Sequence, residues 1–234
     1  MSLKAVLFDF NGVIINDEAI HKRLVEEILI GENVTGLKPG EFEKACLGRG
    51  DRVCLGDLLN SRGRVIGEDY IKQLVFKKAQ LYIQEIEKLE KLPLFSGLDD
   101  LIFQIRSKDL KLGLVSGAVR KGIELVLERA KLKEYFPVII AGDDITTSKP
   151  EPDGYRFAVQ SLNQLYPDLN LLPKQCLAIE DTPAGIQAAK RAGMQVLAVA
   201  NTYPFHMLQR QANWTVDYLS DLELERVIET FAEK

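Results

Sequence analysis

Five short apolar runs restrict this chain more than any other feature: residues 5–8 (AVLF), 112–115 (LGLV), 138–141 (VIIA), 176–179 (CLAI) and 196–199 (VLAV). Each is four residues long, and four of the five stop at a glycine or a polar side chain. Continuous apolar runs of this length fit strands buried on both faces, as in a parallel sheet. Between them lie helical patterns. Leu98, Leu101, Ile102 and Ile105 share one helix face, as do Ile123, Val126, Leu127 and Ala130. Thr182 followed by Pro183 reads as an N-cap and first helical residue, and Asp153 reads as the N-cap of a helix opening at Tyr155. Strands alternating with helices imply right-handed crossovers, and so an α/β fold with a doubly wound, Rossmann-like parallel sheet.

The rhythm breaks once. From Asp17 to Lys91 no strand-like run recurs. Leu24, Val25, Ile28 and Leu29 have helix spacing, and Leu74, Val75, Leu81, Tyr82, Ile86 and Leu89 suggest a second, long helix. Residues 31–40 and 48–67 hold the turn glycines. The expected organisation is a core of residues 1–16 and 92–234, interrupted by a small helical domain over 17–91.

Composition narrows the setting. The 234 residues are 46% hydrophobic and 27% charged, enough for one sizeable core with mixed surface charge. A net charge of −4 without any basic block argues against nucleic acid or an anionic membrane as partner. The apolar runs are far shorter than the roughly 20 residues of a membrane-spanning helix. The N-terminus shows no secretory pattern, since Asp9 follows its first apolar run directly. Cys46, Cys54 and Cys176 lack metal-ligand spacing and read as three reduced thiols of a cytoplasmic protein.

In an open α/β sheet, ligands bind beyond the carboxyl ends of the strands. Asp9-Phe10-Asn11-Gly12 follows the first run, Ser116-Gly117 the second, Glu180-Asp181 the fourth. The third is followed by Asp143-Asp144, read as turn residues, and then by Lys149-Pro150. These groups suit phosphoryl transfer. A carboxylate nucleophile divides the reaction into two displacements. Magnesium favours one or two carboxylates plus phosphate oxygens, which Asp9 with Glu180 or Asp181 would supply. Lys149 offsets the clustered negative charge, while Ser116 and the Gly117 backbone can donate to phosphoryl oxygens.

In this order the motifs resemble those of the haloacid dehalogenase superfamily. Asp9-Phe10-Asn11-Gly12-Val13 resembles its nucleophile motif, Ser116 its hydroxyl, and Lys149-Pro150-Glu151-Pro152-Asp153 its lysine motif. Glu180-Asp181-Thr182-Pro183-Ala184-Gly185 resembles its acidic metal motif. The insert is similar to the helical cap of the subfamily containing phosphoglycolate phosphatase and β-phosphoglucomutase. The resemblance implies magnesium held by Asp9, the Asn11 carbonyl, Glu180 and Asp181. It implies a small phosphorylated metabolite contacted by Glu18, His21, Arg49, Gly117 and Arg120, and a monomer or weak dimer.

One position departs from the pattern. The superfamily usually has aspartate two residues after the nucleophile, where its carboxyl protonates the leaving group. Here that place holds Asn11, and Asn16 and Asp17 stand where Asp and Ser are common. An amide keeps the carbonyl but has no titratable proton near neutral pH. General acid–base help is worth about 10²–10⁴-fold in rate. Three readings stay open: a phosphatase or mutase with another proton donor among Asp17, Glu18 and His21; a module that binds or retains a phosphoryl group; or a substitution introduced to trap a complex.

Overall fold

The computed structural model describes residues 2–232. Among these, six strands form one all-parallel sheet: β1 (Ala5–Phe8), β2 (Lys111–Val115), β3 (Val138–Ile140), β4 (Cys176–Glu180), β5 (Gln195–Val199) and β6 (Trp214–Val216). Their order is β3-β2-β1-β4-β5-β6, with β1 at the centre, paired to both β2 and β4. The five apolar runs are strands as expected. The sixth strand escapes sequence reading because Trp214, Thr215 and Val216 form an edge that is only half-buried.

The helices are α1 (Glu18–Gly31), α2 (Glu41–Ala45), α3 (Asp51–Asn60), α4 (Glu68–Lys88), α5 (Leu98–Ser107), α6 (Arg120–Arg129), α7 (Asp153–Leu165), α8 (Pro183–Arg191), α9 (Phe205–Leu208) and α10 (Leu224–Ala232). The pleat of each strand sends alternate residues to opposite faces. Val6, Phe8, Leu112, Leu114, Leu177 and Ile179 join the core shared with α5, α6 and α10. Ala5, Leu7, Val115, Cys176 and Ala178 join the core shared with α7 and α8. The result is a three-layer sandwich in which every apolar position of β1 is fully buried.

Helices α1–α4 form a four-helix insert between β1 and β2 with its own apolar cluster around Val25, Ile28, Leu29, Leu55, Leu58, Leu59 and Leu74. The stretch 48–67, read from the sequence only for its turn glycines, contains helix α3. Cys54, Leu55, Leu58 and Leu59 lie on one buried helix face, and their burial outweighs the helix-weakening Gly56. Asp153 is corrected from N-cap to first helical residue of α7, and it makes no side-chain cap bond.

The reading of three reduced thiols is also corrected. Cys46 and Cys54 are disulfide-bonded, with Cα atoms 4.6 Å apart, and only Cys176 is free. The pairing arises because Cys46 ends α2 and Cys54 opens into α3, a contact that cysteine spacing does not reveal. Burial pushes the Cys176 thiol up to about 12, so it is an inert core residue. No described helix is long and apolar enough to cross a membrane.

Candidate active site

The chemistry gathers at the carboxyl edge of β1, β2 and β4. Asp9 leaves β1 still in ladder register, its N–H donating to Ile179 O at 2.9 Å. Its Oδ1 accepts from the Phe10 N–H at 2.7 Å and lies 2.8 Å from Lys149 Nζ. Lys149 Nζ also donates to Glu180 Oε1 at 2.6 Å, and Tyr155 Oη donates to the same oxygen at 2.5 Å. Asp9, Lys149, Glu180 and Asp181 are all buried.

The electrostatics show a cluster short of positive charge. Burial and the neighbouring Glu180 push the Asp9 carboxyl up to about 7, against the opposing pull of Lys149. Burial, Asp9 and Glu180 likewise hold Asp181 well above the carboxylate range. Burial alone would lower the Lys149 ammonium, but Asp9 and Glu180 more than restore it and keep it charged.

The residues present fit a hard divalent cation. Carboxylate oxygens of Asp9, Glu180 and Asp181 lie within 4.8 Å of one another. Asp181 Oδ1 is buried without any partner in the chain, a costly condition that a cation would relieve. The two acids of the fourth motif are not equivalent. Glu180 Oε1 is already satisfied by Lys149 and Tyr155, whereas Asp181 keeps a bare oxygen. Gly12 makes room for the Asp181 carboxyl group. Its φ is +80°, and a Cβ there would sit 1.8 Å from Asp181 Oδ2.

Asn11 occupies a network that the sequence did not disclose. Its Nδ2 donates to Asp17 Oδ1 and Oδ2 at 3.1 and 2.9 Å and lies 3.1 Å from His21 Nε2. Tyr82 Oη donates to Asp17 Oδ2 at 2.5 Å, and the Tyr82 ring stacks on His21. On its other side His21 Nδ1 is 2.7 Å from Lys78 Nζ, which also donates to Asp51 Oδ1 at 2.5 Å. An ammonium can only donate, so Nδ1 is the accepting nitrogen of His21, and Nε2 lies 3.3 Å from Asp17 Oδ2. Burial pushes the Asp17 carboxyl up, but His21, Tyr82 and Asn11 together outweigh it and hold the group below its usual value. Burial and Glu43 raise the half-buried Glu18.

The remaining expected residues divide. Asp9, Asn11, Glu18, His21, Arg49, Gly117, Lys149 and Asp181 border one cavity of about 80 Å³ between core and insert. Ser116 opens instead on an adjoining cleft of about 510 Å³, which shares Gly117 and Lys149 with the first. Gly48 lets the insert loop touch the core: a Cβ there would lie 2.3 Å from Thr182 Oγ1. Arg120 is not brought to either cavity. Its guanidinium is held by Asp144 and donates to Ile139 O at 2.8 Å, so the two expected turn aspartates serve as its braces, with Asp143 accepting from the Arg120 N–H. Lys78, Asp51, Tyr82, Tyr155 and Thr202 are site residues that sequence reading missed. Lys78 and Tyr82 sit in the apolar pattern of α4, where only burial of a lysine to 1% exposure signals a role.

A central parallel sheet with an aspartate, a lysine and paired acids at its carboxyl edge, and a helical insert after β1, defines a class. The chain belongs to the haloacid dehalogenase-like hydrolase family, whose sequence profile matches residues 6–199. It is 27% identical over 224 residues to Protein CbbY of Rhodobacter capsulatus, covering 94% of this chain and 95% of that protein. It is 28% identical over 233 residues to β-phosphoglucomutase of Bacillus subtilis, covering 95% and 93%. The crystal structure of β-phosphoglucomutase from Clostridium difficile superposes with a TM-score of 0.83 at 22% identity, covering 99% of this chain and 98% of that one.

Proposed function

We propose that this chain is a magnesium-dependent phosphatase-like hydrolase of small phosphorylated metabolites, working through an aspartyl phosphate on Asp9. The observation that supports it best is the Lys149 ammonium clamped between Asp9 and Glu180 beside the bare Asp181 oxygen. Phe10 N–H and Lys149 occupy Asp9 Oδ1, which orients the carboxylate and leaves Oδ2 as the attacking atom. Ser116 Oγ accepts from Ala118 N–H at 3.0 Å, so its own proton is free for a phosphoryl oxygen. Asp9, Asp181 and the Asn11 carbonyl, with Glu180 behind them, would hold magnesium, which supplies charge neutralisation for the phosphoryl group.

Attack forms the Asp9–phosphorus bond and breaks the bond from phosphorus to the leaving oxygen. That oxygen needs a proton, and Asn11 has none to give. His21 fills the need in this reading as a relay: its Nε2–H, beside Asn11 and Asp17 at the cavity, passes to the leaving oxygen while the Lys78 ammonium gives a proton to Nδ1, so the ring stays neutral overall. Water then attacks the phosphoryl group and breaks the Asp9–phosphorus bond, its proton going to His21 Nε2 as Nδ1 returns one to Lys78. Asp17 suits the proton-donor role poorly, because its neighbours stabilise the charged form. The insert acts as a cap, with Glu18, His21 and Arg49 over the leaving group.

The test is phosphate release from a panel of phosphorylated metabolites, with and without magnesium, by the native chain and by Asp9→Asn. Turnover indifferent to chelation or to that substitution would sink the reading. Sugar phosphomutase is the second reading, favoured by the Bacillus subtilis relative. Ala118 and Val119 after the Ser116 turn give no polar side chain for a second phosphate. Interconversion of a sugar 1-phosphate and 6-phosphate, started by a catalytic bisphosphate, would establish it. Binding of phosphorylated ligands without turnover would instead identify a catalytically impaired binding protein.

A further inference from the structure

We propose that the leaving-group end of this site selects phosphomonoesters whose leaving group is uncharged and disfavours bisphosphates, with Asp51 and Asp57 setting that selection. The proposal deepens the phosphatase reading and rests on it.

Its basis is the state of the cations. A second phosphate needs an ammonium or guanidinium that is not already neutralised. Lys78, the buried lysine at the cavity, spends one donor on Asp51 Oδ1 at 2.5 Å and another on His21 Nδ1 at 2.7 Å. Arg49, the arginine of the insert loop, is 2.9 Å from Asp57 Oδ2 and donates to Ala45 O at 3.1 Å. The adjoining cleft also carries the exposed Lys72, 3.7 Å from Asp69 and pointing to solvent rather than toward Asp9's cavity, whose lining does not include it. Arg52 is paired with Glu68 at 2.6 Å and donates to Thr146 O at 3.0 Å. Arg120 is turned away onto Asp144.

Charge around the central cavity gives the same answer. Its walls carry five carboxylates against three cations, Arg49, Lys78 and Lys149. One divalent cation held by Asp9 and Asp181 would bring this to balance, and the charge of Lys149 and that cation would be taken up by the transferring phosphoryl group. Nothing remains to offset a second dianion, which would have to displace Asp51 from Lys78 or Asp57 from Arg49. Like-charge juxtaposition inside a shielded site is an effective way to reject a competitor. Hydroxyl groups of an uncharged polyol, by contrast, can donate to Glu18 and Asp51 and accept from the unused N–H groups of Arg49.

The two carboxylates differ in a useful way. Asp51 belongs to the buried Lys78–His21 chain, whereas the Asp57 side chain is 53% exposed on α3. Removing the Asp57 charge therefore frees Arg49 without disturbing the proton relay.

The experiment compares fructose 6-phosphate with fructose 1,6-bisphosphate, which differ by one phosphate. Each competes in initial-rate hydrolysis of p-nitrophenyl phosphate by the native chain with magnesium. Independently of turnover, each is titrated calorimetrically into Asp9→Asn. The bisphosphate is expected to bind at least tenfold more weakly in both. Adding Asp57→Asn, and separately Asp51→Asn, should narrow that ratio by fivefold or more, chiefly by tightening the bisphosphate. Equal or tighter bisphosphate binding by the native chain overturns the proposal, as does failure of both compounds to bind, or charge removal that shifts both equally. If p-nitrophenyl phosphate is not hydrolysed, the phosphatase reading falls, while the calorimetric ratio still decides the charge selection by itself.

Discussion

Replacing Asn11 by aspartate is the change that the superfamily pattern recommends, and the structure attaches a cost to it. The Asn11 amide nitrogen lies 2.9 Å from Asp17 Oδ2 and 3.1 Å from Asp17 Oδ1. A carboxylate there would face a buried carboxylate at about the same separation. At an effective dielectric of about 20, two unit charges 3 Å apart repel by about 5 kcal/mol. Taking up a proton caps the penalty. Relative to an unfolded pKa of about 3.9, holding one carboxyl protonated costs about 4 kcal/mol at pH 7 and about 1.5 kcal/mol at pH 5. The new group's folded pKa is raised, so the lost stability is largest at high pH and returns as pH falls through that value. Urea unfolding should therefore show Asn11→Asp destabilised by about 2–4 kcal/mol at pH 7, and by less than half of that at pH 5. Because Asp17 is held charged by His21, Tyr82 and its other neighbours, the proton should settle on the new carboxyl. Adding Asp17→Ser, which removes the opposing charge, should recover most of the loss and, with it, phosphate release above that of either single variant. The reasoning is refuted if Asn11→Asp alone is as stable as the native chain at pH 8.

Other outcomes follow from the same geometry. Asp9 is pushed up to about 7, so the metal-free fold holds a proton that the unfolded chain releases near pH 4, and that stability is lost as pH rises through about 7. Magnesium must displace the proton, so the magnesium-induced rise in Tm should be larger at pH 8 than at pH 5.5; an equal rise at both would contradict the cluster's electrostatics. His21→Gln should lower turnover of sugar phosphates by about 10²-fold while changing p-nitrophenyl phosphate hydrolysis by less than about tenfold, because an aryl leaving group needs little protonation. Equal losses on both substrates would place His21 outside proton transfer. Gly12→Ala, which drives a Cβ toward Asp181 Oδ2, should weaken magnesium binding by at least tenfold in a calorimetric titration, and unchanged affinity would remove Asp181 from the metal site. Tyr155→Phe deletes a donor to Glu180 Oε1 and should cost about 1–2 kcal/mol in urea unfolding.

Five of the six strands and the residues at their carboxyl ends could be read from the sequence. Four-residue apolar runs bounded by turn residues fit strands buried on two faces, and a strand end is a fixed address, so Asp9, Lys149, Glu180 and Asp181 were legible as one group, with Ser116 on the adjoining cleft. The helical insert was legible too, since the spacing in α1 and α4 is long and regular. Which groups meet across long stretches of chain could be seen only in the fold. Lys78 and Tyr82 reach His21 and Asp17 over 57 and 65 residues, Cys46 finds Cys54 through the packing of α2 on α3, and Arg120 is turned from the cavity by Asp144. Periodicity reports a residue's face on its own element, not the distance to a side chain on another. For that reason the amide at Asn11 looked in the sequence like a missing proton donor, whereas in the fold it is the partner that lets a buried Asp17 keep its charge.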